Sequence, residues 1–376
     1  MPVVVLCIAL LCAGRANADG PGGGAPSGSP SLSLPQIHGR IYIDGQAYDH
    51  TRTTIASGLS VNNARLSLSG ALPRDWRYLL EYDFAHRRIK YSWMRYEGFA
   101  PVRITVGQFK EPFSLEELTS TRFITFIERG LPNALVAGYR IGVGAERRAG
   151  SWTADLGIFS TPTSGYTVKT TGSGSWAVTG RFTWSPVSRK GALLHVGVDG
   201  SYRLAGNEHT FHVQQGPEAG RTEAYYLDTG SLTGVDHFAT IGAEGAATVG
   251  AWSVQAEYVQ TNVARRRGDP SLTFHGAYGF ASWFPTGESR HYQGGRFSRV
   301  HPLRKAGALQ LAARYSFLDL NSGPVAGGRE RDITLGANWY FSPYTRLMFN
   351  YIKVHARLAG RMETPNIFLA RLQSDF

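Results

Sequence analysis

Hydrophobic and polar residues alternate along most of the chain, and this alternation predicts strands. Between Trp76 and Phe84 every second residue is aromatic or leucine, whereas Arg77, Glu81 and Asp83 occupy positions between them. A strand points successive side chains to opposite faces, so the run predicts a strand with one apolar and one mostly polar face. The pattern recurs in residues 176–184, 194–203, 252–258, 309–317 and 332–339. After residue 36 the chain offers about sixteen strand candidates.

The last of these strands ends the chain. Phe368, Leu372 and the terminal Phe376 share one face, and Arg371 and Asp375 lie on the other. A terminal aromatic residue on the apolar face suits a strand with lipid outside and water inside. We interpret Phe376 as an assembly signal read by the barrel-assembly machinery.

Strand ends and connections distinguish a membrane barrel from a soluble sandwich, whose strands also alternate. Trp184 and Trp339 lie on the apolar phase at one end of their strands, as expected for an aromatic girdle at a membrane interface. We expect short turns at the inner end of the barrel and long outer connections such as 204–235 and 319–330. One inner connection, 285–305, is long and basic. The pattern predicts an all-β fold, an antiparallel transmembrane β-barrel.

The N-terminus carries an export signal. Residues 1–18 form an apolar segment that ends in a small-x-small cleavage pattern, and they are predicted to be a signal peptide. Residues 19–35 are rich in Gly, Pro and Ser and are predicted to be disordered, so the barrel comprises residues 36–376. Both cysteines, Cys7 and Cys12, fall within the signal peptide. Lipidation at Cys12 is the alternative, but two leucines precede it where a lipidation signal needs smaller residues.

Composition agrees with a barrel in the outer membrane of a Gram-negative bacterium. Only 18% of the residues are charged, below the roughly 25% of soluble domains. No apolar stretch after the N-terminus is long enough for a spanning helix. The chain carries a formal net charge of +11. Because an outward apolar band directs charge to the lumen and loops, we expect a basic lumen that attracts anions. No compact basic motif indicates nucleic-acid binding.

One long segment of the chain resembles a known protein family. Residues 106–134 read VGQFKEPFSLEELTSTRFITFIERGLPNA and closely resemble the phosphate-selective porins of the O/P family. Further similar motifs occur at residues 64–70, 75–84, 193–197, 255–258, 281–290 and 335–340. The resemblance covers nearly all of the chain from Ile37 to Phe376. It implies a sixteen-stranded barrel, a homotrimer and a third extracellular loop that folds into the lumen and narrows it.

The sequence of that loop agrees with an inward fold. Residues 115–127 are too apolar for an exposed loop, and the lumen wall is where they can be buried. Its cationic residues, Lys110, Arg122 and Arg129, are candidates for contact with a permeating anion, and pairing with the loop's glutamates is the alternative. The resemblance implies such a contact for Arg122, because selective members of the family carry a lysine there.

The chain departs from the family at Asn62 and Asn63, where selective members carry two adjacent arginines. Asn can donate a hydrogen bond to an oxyanion, but it lacks the charged, rigid fork of Arg. This departure places strict phosphate selectivity in doubt and leaves a general anion preference.

Other basic residues lie on the more polar phase of their strands or beside the third loop, and either line the anion path or form lumen salt bridges. These residues are Arg65, Arg77, Arg140, Arg181, Arg203, Arg314 and Arg371. The resemblance implies a second, periplasmic basic cluster that attracts anions. Its members here are Arg290, Arg296, Arg299, Arg304 and Lys305, for which a solvated turn is the alternative. For the outer run 265–267, lipopolysaccharide phosphates are an equally good partner.

Three functional classes follow. We expect a porin for passive diffusion of phosphate, chloride or, as a longer anion, polyphosphate. A barrel with mainly structural or adhesive function is the alternative, and an outer-membrane enzyme is the third class. No nucleophile elbow, dinucleotide motif or metal-spaced histidine pair on a helix occurs. His209 and His212 share a long loop, for which weak metal binding is the alternative; no cofactor or metal is expected.

Overall fold

The computed structural model describes residues 33–49, 57–163, 174–220, 224–266, 268–358 and 360–376. The predicted signal peptide and all but the last residues of the Gly/Pro/Ser-rich segment lie outside these ranges. Among the described residues, no helix is long and apolar enough to cross a membrane.

Sixteen antiparallel strands form one closed sheet. They are β1 (Gln36–Asp49), β2 (Gly58–Leu72), β3 (Trp76–Asp83), β4 (Arg88–Tyr96), β5 (Val102–Lys110), β6 (Tyr139–Ala149), β7 (Trp152–Phe159), β8 (Trp176–Arg189), β9 (Ala192–Leu204), β10 (Val235–Val249), β11 (Trp252–Arg265), β12 (Leu272–Trp283), β13 (Ala308–Ser322), β14 (Val325–Tyr340), β15 (Thr345–Leu358) and β16 (Asn366–Asp375). The short strand Arg361–Glu363 extends the sheet beside β15. The predicted sixteen-stranded antiparallel barrel is confirmed.

The first and last strands close the barrel. β1 pairs with β2 on one side and with β16 on the other. Beyond β16, the backbone N–H of Phe376 donates to the carbonyl of Gly39 at 3.0 Å, and the N–H of Gly39 donates back at 3.1 Å. The ring of Phe376 lies over Gly39 and leaves no room for a Cβ there. A glycine at this position therefore lets the terminal aromatic ring cover the backbone at the seam.

The polarity of the sheet is inverted relative to a soluble protein. Its outward face exposes large apolar side chains, among them Leu66, Leu80, Val198, Ile333 and Leu335. Its inward face buries charged and polar ones, among them Glu81, Asp83, Arg181, Asp199 and Thr334. Exposure of this outward surface to water would be unfavourable, whereas a surrounding lipid layer solvates its apolar side chains. The alternation seen in the sequence is thus the signature of a lipid-facing and a water-facing side.

The two ends of the barrel differ. Connections from even-numbered to odd-numbered strands form the short-turn end, and connections from odd-numbered to even-numbered strands form the long-loop end. The outer connection between β9 and β10 falls at 205–234 and the basic inner one at 284–307, close to the predicted positions. The predicted loop over residues 319–330 is wrong, because β13 continues to Ser322 and β14 begins at Val325. Gly, Pro and charged residues there resemble a loop, yet the strands extend through them.

The barrel wall is not of uniform height. Strands β3 and β7 have 8 residues each, β4 and β5 have 9, and β6 has 11. Strands β8 and β10–β15 have 12 to 16 residues. We call β3–β7 the low wall. At the short-turn end of the high wall, Trp252 stacks on Trp283 with ring centroids 5.3 Å apart, as in an aromatic girdle.

Candidate functional site

The segment 111–138, between β5 and β6, contacts the polar face of distant strands. It contains a helical turn (Leu115–Leu118) and a 3-10 turn (Leu131–Leu135). The carboxylate of Glu257 on β11 accepts the backbone N–H groups of Leu115 and Glu116 at 3.1 and 2.7 Å. On β15, Asn350 accepts the N–H of Ile127 at 2.8 Å. These contacts tie the segment to buried, inward-facing side chains of the opposite wall.

The apolar residues of the segment are buried by several elements. Phe113, Leu131 and Leu135 belong to a cluster that includes Phe274 of β12 and Leu318 of β13. Part of the same cluster comes from the 205–234 connection, which therefore packs against the segment. Burial of these side chains explains why the sequence between β5 and β6 is too apolar for an exposed loop.

Two of the predicted cationic residues hold the segment together. Lys110 lies 2.8 Å from the carboxylate of Glu117, and Arg129 lies 3.2 Å from the other oxygen of that carboxylate. Burial raises the pKa of Glu117, but the charges of Arg129 and Lys110 outweigh burial and lower it to about 2. Burial lowers the pKa of Arg129, yet Glu117 and Glu116 outweigh burial and leave it above its ordinary value. Lys110 and Arg129 are thus paired within the segment.

Arg122 has a different environment. Its side chain is 28% exposed, and its nearest carboxylate, that of Asp375, lies 3.7 Å away. Burial lowers the pKa of Arg122, and the neighbouring positive charges of Arg40 and Arg299 lower it further against the attraction of Asp375. The guanidinium stays charged, since Arg does not lose its proton in proteins. A bound anion would relieve the repulsion among these cations.

Arg122 shares a cleft at the short-turn end with Arg299 and Arg346. Arg299, from the 284–307 connection, pairs with Asp375 and lies 4.3 Å from the centre of the Tyr344 ring. Arg346, at the start of β15, donates to the carbonyl of Ile124 at 2.9 Å rather than to an acid. Arg122 and Arg299 therefore share the buried carboxylate of Asp375, and among the described residues Arg346 has no ion-pair partner.

Arg346 was not among the residues predicted from the sequence. It shares the inward phase of β15 with Asn350, and its side chain is buried. The alternation along β15 could have predicted the inward position of Arg346, because Leu347 and Phe349 mark the outward phase of that strand. The 284–307 connection supplies the cleft with only one member of the predicted basic cluster, Arg299.

Most of the other predicted basic residues are paired inside the barrel. These pairs are Arg65 with Glu81 and Asp83, Arg181 with Asp199 and Glu244, Arg203 with Glu111, Arg314 with Glu116 and Glu218, and Arg371 with Asp44 and Glu128. Arg140 lies 3.9 Å from Glu111, and the more exposed Arg77 pairs with Glu97. For these residues the lumen or rim salt bridge, left open by the sequence, is the observed arrangement.

Asn62 and Asn63 occupy a β-bulge. Tyr42 of β1 is paired with Asn63 and the next residue of β1 with Val61, so Asn62 is the extra residue. A bulge turns two adjacent side chains away from strict alternation. Asn62 lies within 3 Å of the point where a Cβ on Gly220 would sit, and so does the carboxylate of Glu128. The position that carries an arginine pair in selective porins thus lies close to a carboxylate here.

The 284–307 connection turns back into the barrel. Arg290 is buried, donates to Gln255 at 2.9 Å and lies 3.4 Å from the centre of the Phe297 ring. Burial lowers the pKa of Arg290 to about 10. Phe297 packs against Leu115 of the helical turn, so the connection meets the segment 111–138. Arg304 and Lys305 are exposed at the barrel end, as a solvated turn would have them.

Arg296 belongs to a second cleft, on the low-wall side. Arg95, Lys110 and Arg296 line this cleft together with Glu146 and Asp155. Its charge is therefore mixed, unlike that of the cleft of Arg122. Across the described ranges, no group of three or more His, Cys, Asp or Glu side chains is arranged to hold a metal ion. His212 is paired with Asp228 at 2.8 Å.

Comparison with solved structures gives the same fold. An anion-selective porin from Comamonas acidovorans aligns with a TM-score of 0.58 at 14% identity, covering 92% of this chain and 100% of that one. The trimer form of OmpT, an outer membrane protein of Vibrio cholerae, aligns with a TM-score of 0.57 at 10% identity, covering 91% and 99%. At these identities the likeness concerns the fold alone.

Comparison of sequences reaches further. A protein of Caulobacter vibrioides is 29% identical over 368 residues, covering 90% of this chain and 73% of its own. Porin O of Pseudomonas aeruginosa is 25% identical over 361 residues, covering 85% and 82%. The model of the family described as phosphate-selective porin O and P matches residues 36–376. Given the barrel and its inverted polarity, the chain is an outer-membrane porin and belongs to the phosphate-selective porin O and P family.

Proposed function

We propose that this porin is a passive channel that prefers anions. In this proposal, the segment 111–138 narrows the lumen, and the cleft of Arg122, Arg299 and Arg346 contacts the permeating anion. The observation that carries the proposal is the charge of that cleft, which three guanidinium groups line while only Arg122 and Arg299 have a carboxylate, that of Asp375, beside them. Elsewhere in the described interior, the predicted strand arginines are mostly paired with acids.

The physical reason for anion preference is the field of these charges. A narrow wet channel with low-dielectric walls concentrates the potential of its fixed charges, so unpaired guanidinium groups raise the local anion concentration. Guanidinium forks also match the oxygens of phosphate better than an ammonium group does. The phosphate selectivity for which the family is named, and the anion selectivity of the Comamonas porin, support the same direction.

Preference for phosphate over chloride is proposed to be weak. Asn62 and Asn63 provide no charge, and the neighbouring carboxylate of Glu128 repels an anion. Phosphate must lose part of its hydration to enter a constriction, and few charged donors remain near Asn62 to replace the lost hydrogen bonds. Chloride should therefore carry substantial current.

Assembly is proposed to be trimeric through the low wall. A strand of 8 residues rises roughly 27 Å along its axis, or about 21 Å across a membrane at a 40° tilt. This is shorter than the apolar band of about 25 Å that such barrels present to lipid. Contact with neighbouring copies would shield the low wall from this mismatch. The long-loop end is proposed to face outward, and the seam at Phe376 to engage the barrel-assembly machinery.

One observation favours a structural barrel as a second candidate. The segments 111–138, 205–234 and 284–307 all pack against the inward face or each other and so occupy part of the interior. A structural or adhesive barrel tolerates a filled lumen, whereas a porin requires a continuous water path.

Planar bilayer recording of the purified native protein distinguishes the two candidates. The porin proposal predicts stable channel openings in KCl and only partial block of chloride current when millimolar phosphate is added. Absence of any conductance from correctly folded protein would favour the structural alternative. Complete block by micromolar phosphate would show a stronger phosphate site than Asn62 and Asn63 allow.

A further inference from the structure

A group of basic residues lies on the outward face of β14 and β15 at the long-loop end. It consists of Arg329 and Arg331 on β14 with His355 and Arg357 on β15, and all four are exposed. We call these residues the β14–β15 basic patch. The register places Arg329 directly opposite Arg357 and Arg331 directly opposite His355. Basic side chains therefore face each other across two neighbouring strands.

Such an arrangement is unfavourable on its own. Like charges directly opposite each other on neighbouring strands destabilise a sheet. Asp319 compensates one of them, since its carboxylate accepts from Nε of Arg329 at 2.8 Å. In the part of the chain that the structure describes, neither Arg331 nor Arg357 has an ion-pair partner. The patch therefore retains positive charge that an external anion can neutralise.

The patch lies at the edge of the lipid-facing band. The outward residues that follow Arg331 on β14 are Ile333 and Leu335, both exposed and apolar. From Arg331 to Phe341, which is exposed beyond the other end of β14, the chain advances roughly 33 Å along the strand, or about 25 Å across a membrane at a 40° tilt. This height equals that of the apolar band of an outer-membrane barrel, about 25 Å. Arg331 therefore lies at the level of the outer-leaflet headgroups.

We infer that the β14–β15 basic patch binds the phosphate groups of an outer-leaflet glycolipid, the lipid A portion of lipopolysaccharide. The inference rests on the outer-membrane location and on the proposed outward orientation of the long-loop end. Guanidinium forks bind phosphate oxygens in pairs, and the apolar residues below them would contact the acyl chains. Strands β14 and β15 lie across the barrel from the low wall, so the proposed trimer leaves the patch open to lipid.

The sequence drew attention to a different outer run, residues 265–267, for this partner. In the structure Arg265 pairs with Asp269 at 2.9 Å, and Arg266 lies 3.3 Å from Asp236. These acids reduce the charge available to a lipid phosphate. The patch on β14 and β15 has one acid for four basic residues and is the better binding surface.

Lipid binding to the purified full-length protein tests the inference. Native mass spectrometry would compare retention of diphosphorylated lipid A with that of lipid A whose phosphates have been removed. The double variant Arg331→Gln with Arg357→Gln should retain the phosphorylated lipid at least about tenfold less. The control variant Arg189→Gln with Lys190→Gln makes the same charge change at the exposed turn between β8 and β9, on the short-turn end, and should retain it normally. All variants should keep the channel conductance of the unchanged protein, which separates this test from that of the porin proposal.

Three results would overturn the inference. The dephosphorylated lipid could bind as well as the phosphorylated one, or the control variant could lose binding as strongly as the patch variant. Displacement of bound lipid by inorganic phosphate at millimolar concentration would show that the site recognises free anion rather than a membrane-anchored headgroup. The heat-induced gel shift of folded barrels verifies that each variant is folded.

Discussion

Arg371 and Asp44 form a two-bond ion pair across the seam where the barrel closes. Nε and Nη2 of Arg371 on β16 each lie 2.7 Å from an oxygen of Asp44 on β1, and the two residues are directly opposite in the register. The pair is buried, and Arg371 also donates to the carbonyl of Ile127 at 2.8 Å. A lumen arginine that holds two strands and the segment 111–138 together is a structural element before it is an anion contact.

Removing this arginine should destabilise the barrel. Arg371→Ala leaves a buried carboxylate unpaired, which typically costs about 3–5 kcal/mol of unfolding free energy. Thermal unfolding followed by the gel shift of the folded barrel measures the loss. Arg77→Ala is the matched control, because its pair with Glu97 is exposed on the arginine side and worth at most about 1 kcal/mol. Equal effects of both changes would contradict the structural function assigned to Arg371.

Arg122 and Arg129 provide a direct comparison within one segment. Arg122→Ala should reduce anion preference strongly while the barrel stays folded, because it removes a guanidinium whose nearest carboxylate is already paired with Arg299. Arg129→Ala should instead loosen the segment, since it breaks the contact to Glu117 and three carbonyl hydrogen bonds. Reversal potentials and current noise, measured on both variants, separate the two outcomes. Unchanged selectivity in Arg122→Ala would place the anion contact elsewhere.

The asparagine pair predicts a dependence on Glu128. Restoring arginines with Asn62→Arg and Asn63→Arg should strengthen phosphate block only modestly, because Glu128 would pair with a new guanidinium. Adding Glu128→Gln frees that guanidinium and should strengthen the block further, by about tenfold if one charge-assisted hydrogen bond is gained. Glu128→Gln alone is the control. Equal block with and without the Glu128 change would show that this carboxylate does not govern the site.

Mild acid should increase anion preference through the same residue. Burial raises the pKa of Glu128, and the negative charge of Asp44 raises it further against the attraction of Arg371. The carboxyl group therefore takes up a proton before an ordinary glutamate does, and a negative charge is lost as the pH falls from neutral towards about 4. Reversal potentials measured in a KCl gradient over this pH range should shift towards the equilibrium potential of chloride. Glu128→Gln should abolish the shift, and persistence of the shift in that variant would assign it to another group.

The contacts that Glu117 makes within the segment should withstand the same acidification. The pKa of Glu117 lies at about 2, below its ordinary value, so its pairing stabilises the fold above the ordinary pKa and is lost only as the pH falls towards 2. Loss of the Glu117 contacts with Lys110 and Arg129 should thus not change the channel size above about pH 4. The substitution Glu117→Gln removes the ion pairs with Lys110 and Arg129. The segment should then be less rigid, so open-channel noise should rise at every pH. Single-channel recording measures both quantities.

The strands could be predicted from the sequence because each one samples lipid and water on alternate residues. The run from Leu80 to Phe84 shows the principle, since Leu80, Tyr82 and Phe84 are exposed in the barrel whereas Glu81 and Asp83 are buried. Strand ends were harder: β13 and β14 continue to a turn at Gly323 and Pro324 through residues that resemble a loop. Beyond the lipid band both faces of a strand contact water, so apolar and polar residues no longer alternate. The sequence pattern therefore does not show where these strands end.

The candidate site was less predictable, because pairing depends on register and on long connections. The sequence marks Arg181 and Arg299 equally as basic, but only the fold places Arg181 beside two carboxylates and Arg299 in the cleft of Arg122. The inward packing of the 205–234 connection has no local sequence signature comparable to that of residues 115–127. Glu218 of that connection pairs with Arg314, a contact between residues nearly one hundred positions apart.

The reversal potential of the purified, unmodified porin in a KCl gradient tests the account most directly. Three guanidinium groups against one carboxylate in the cleft of Arg122 predict a potential displaced towards that of chloride, and a smaller displacement at high salt because screening weakens the field. A potential displaced towards that of potassium would contradict the anion-preferring channel proposed for this chain.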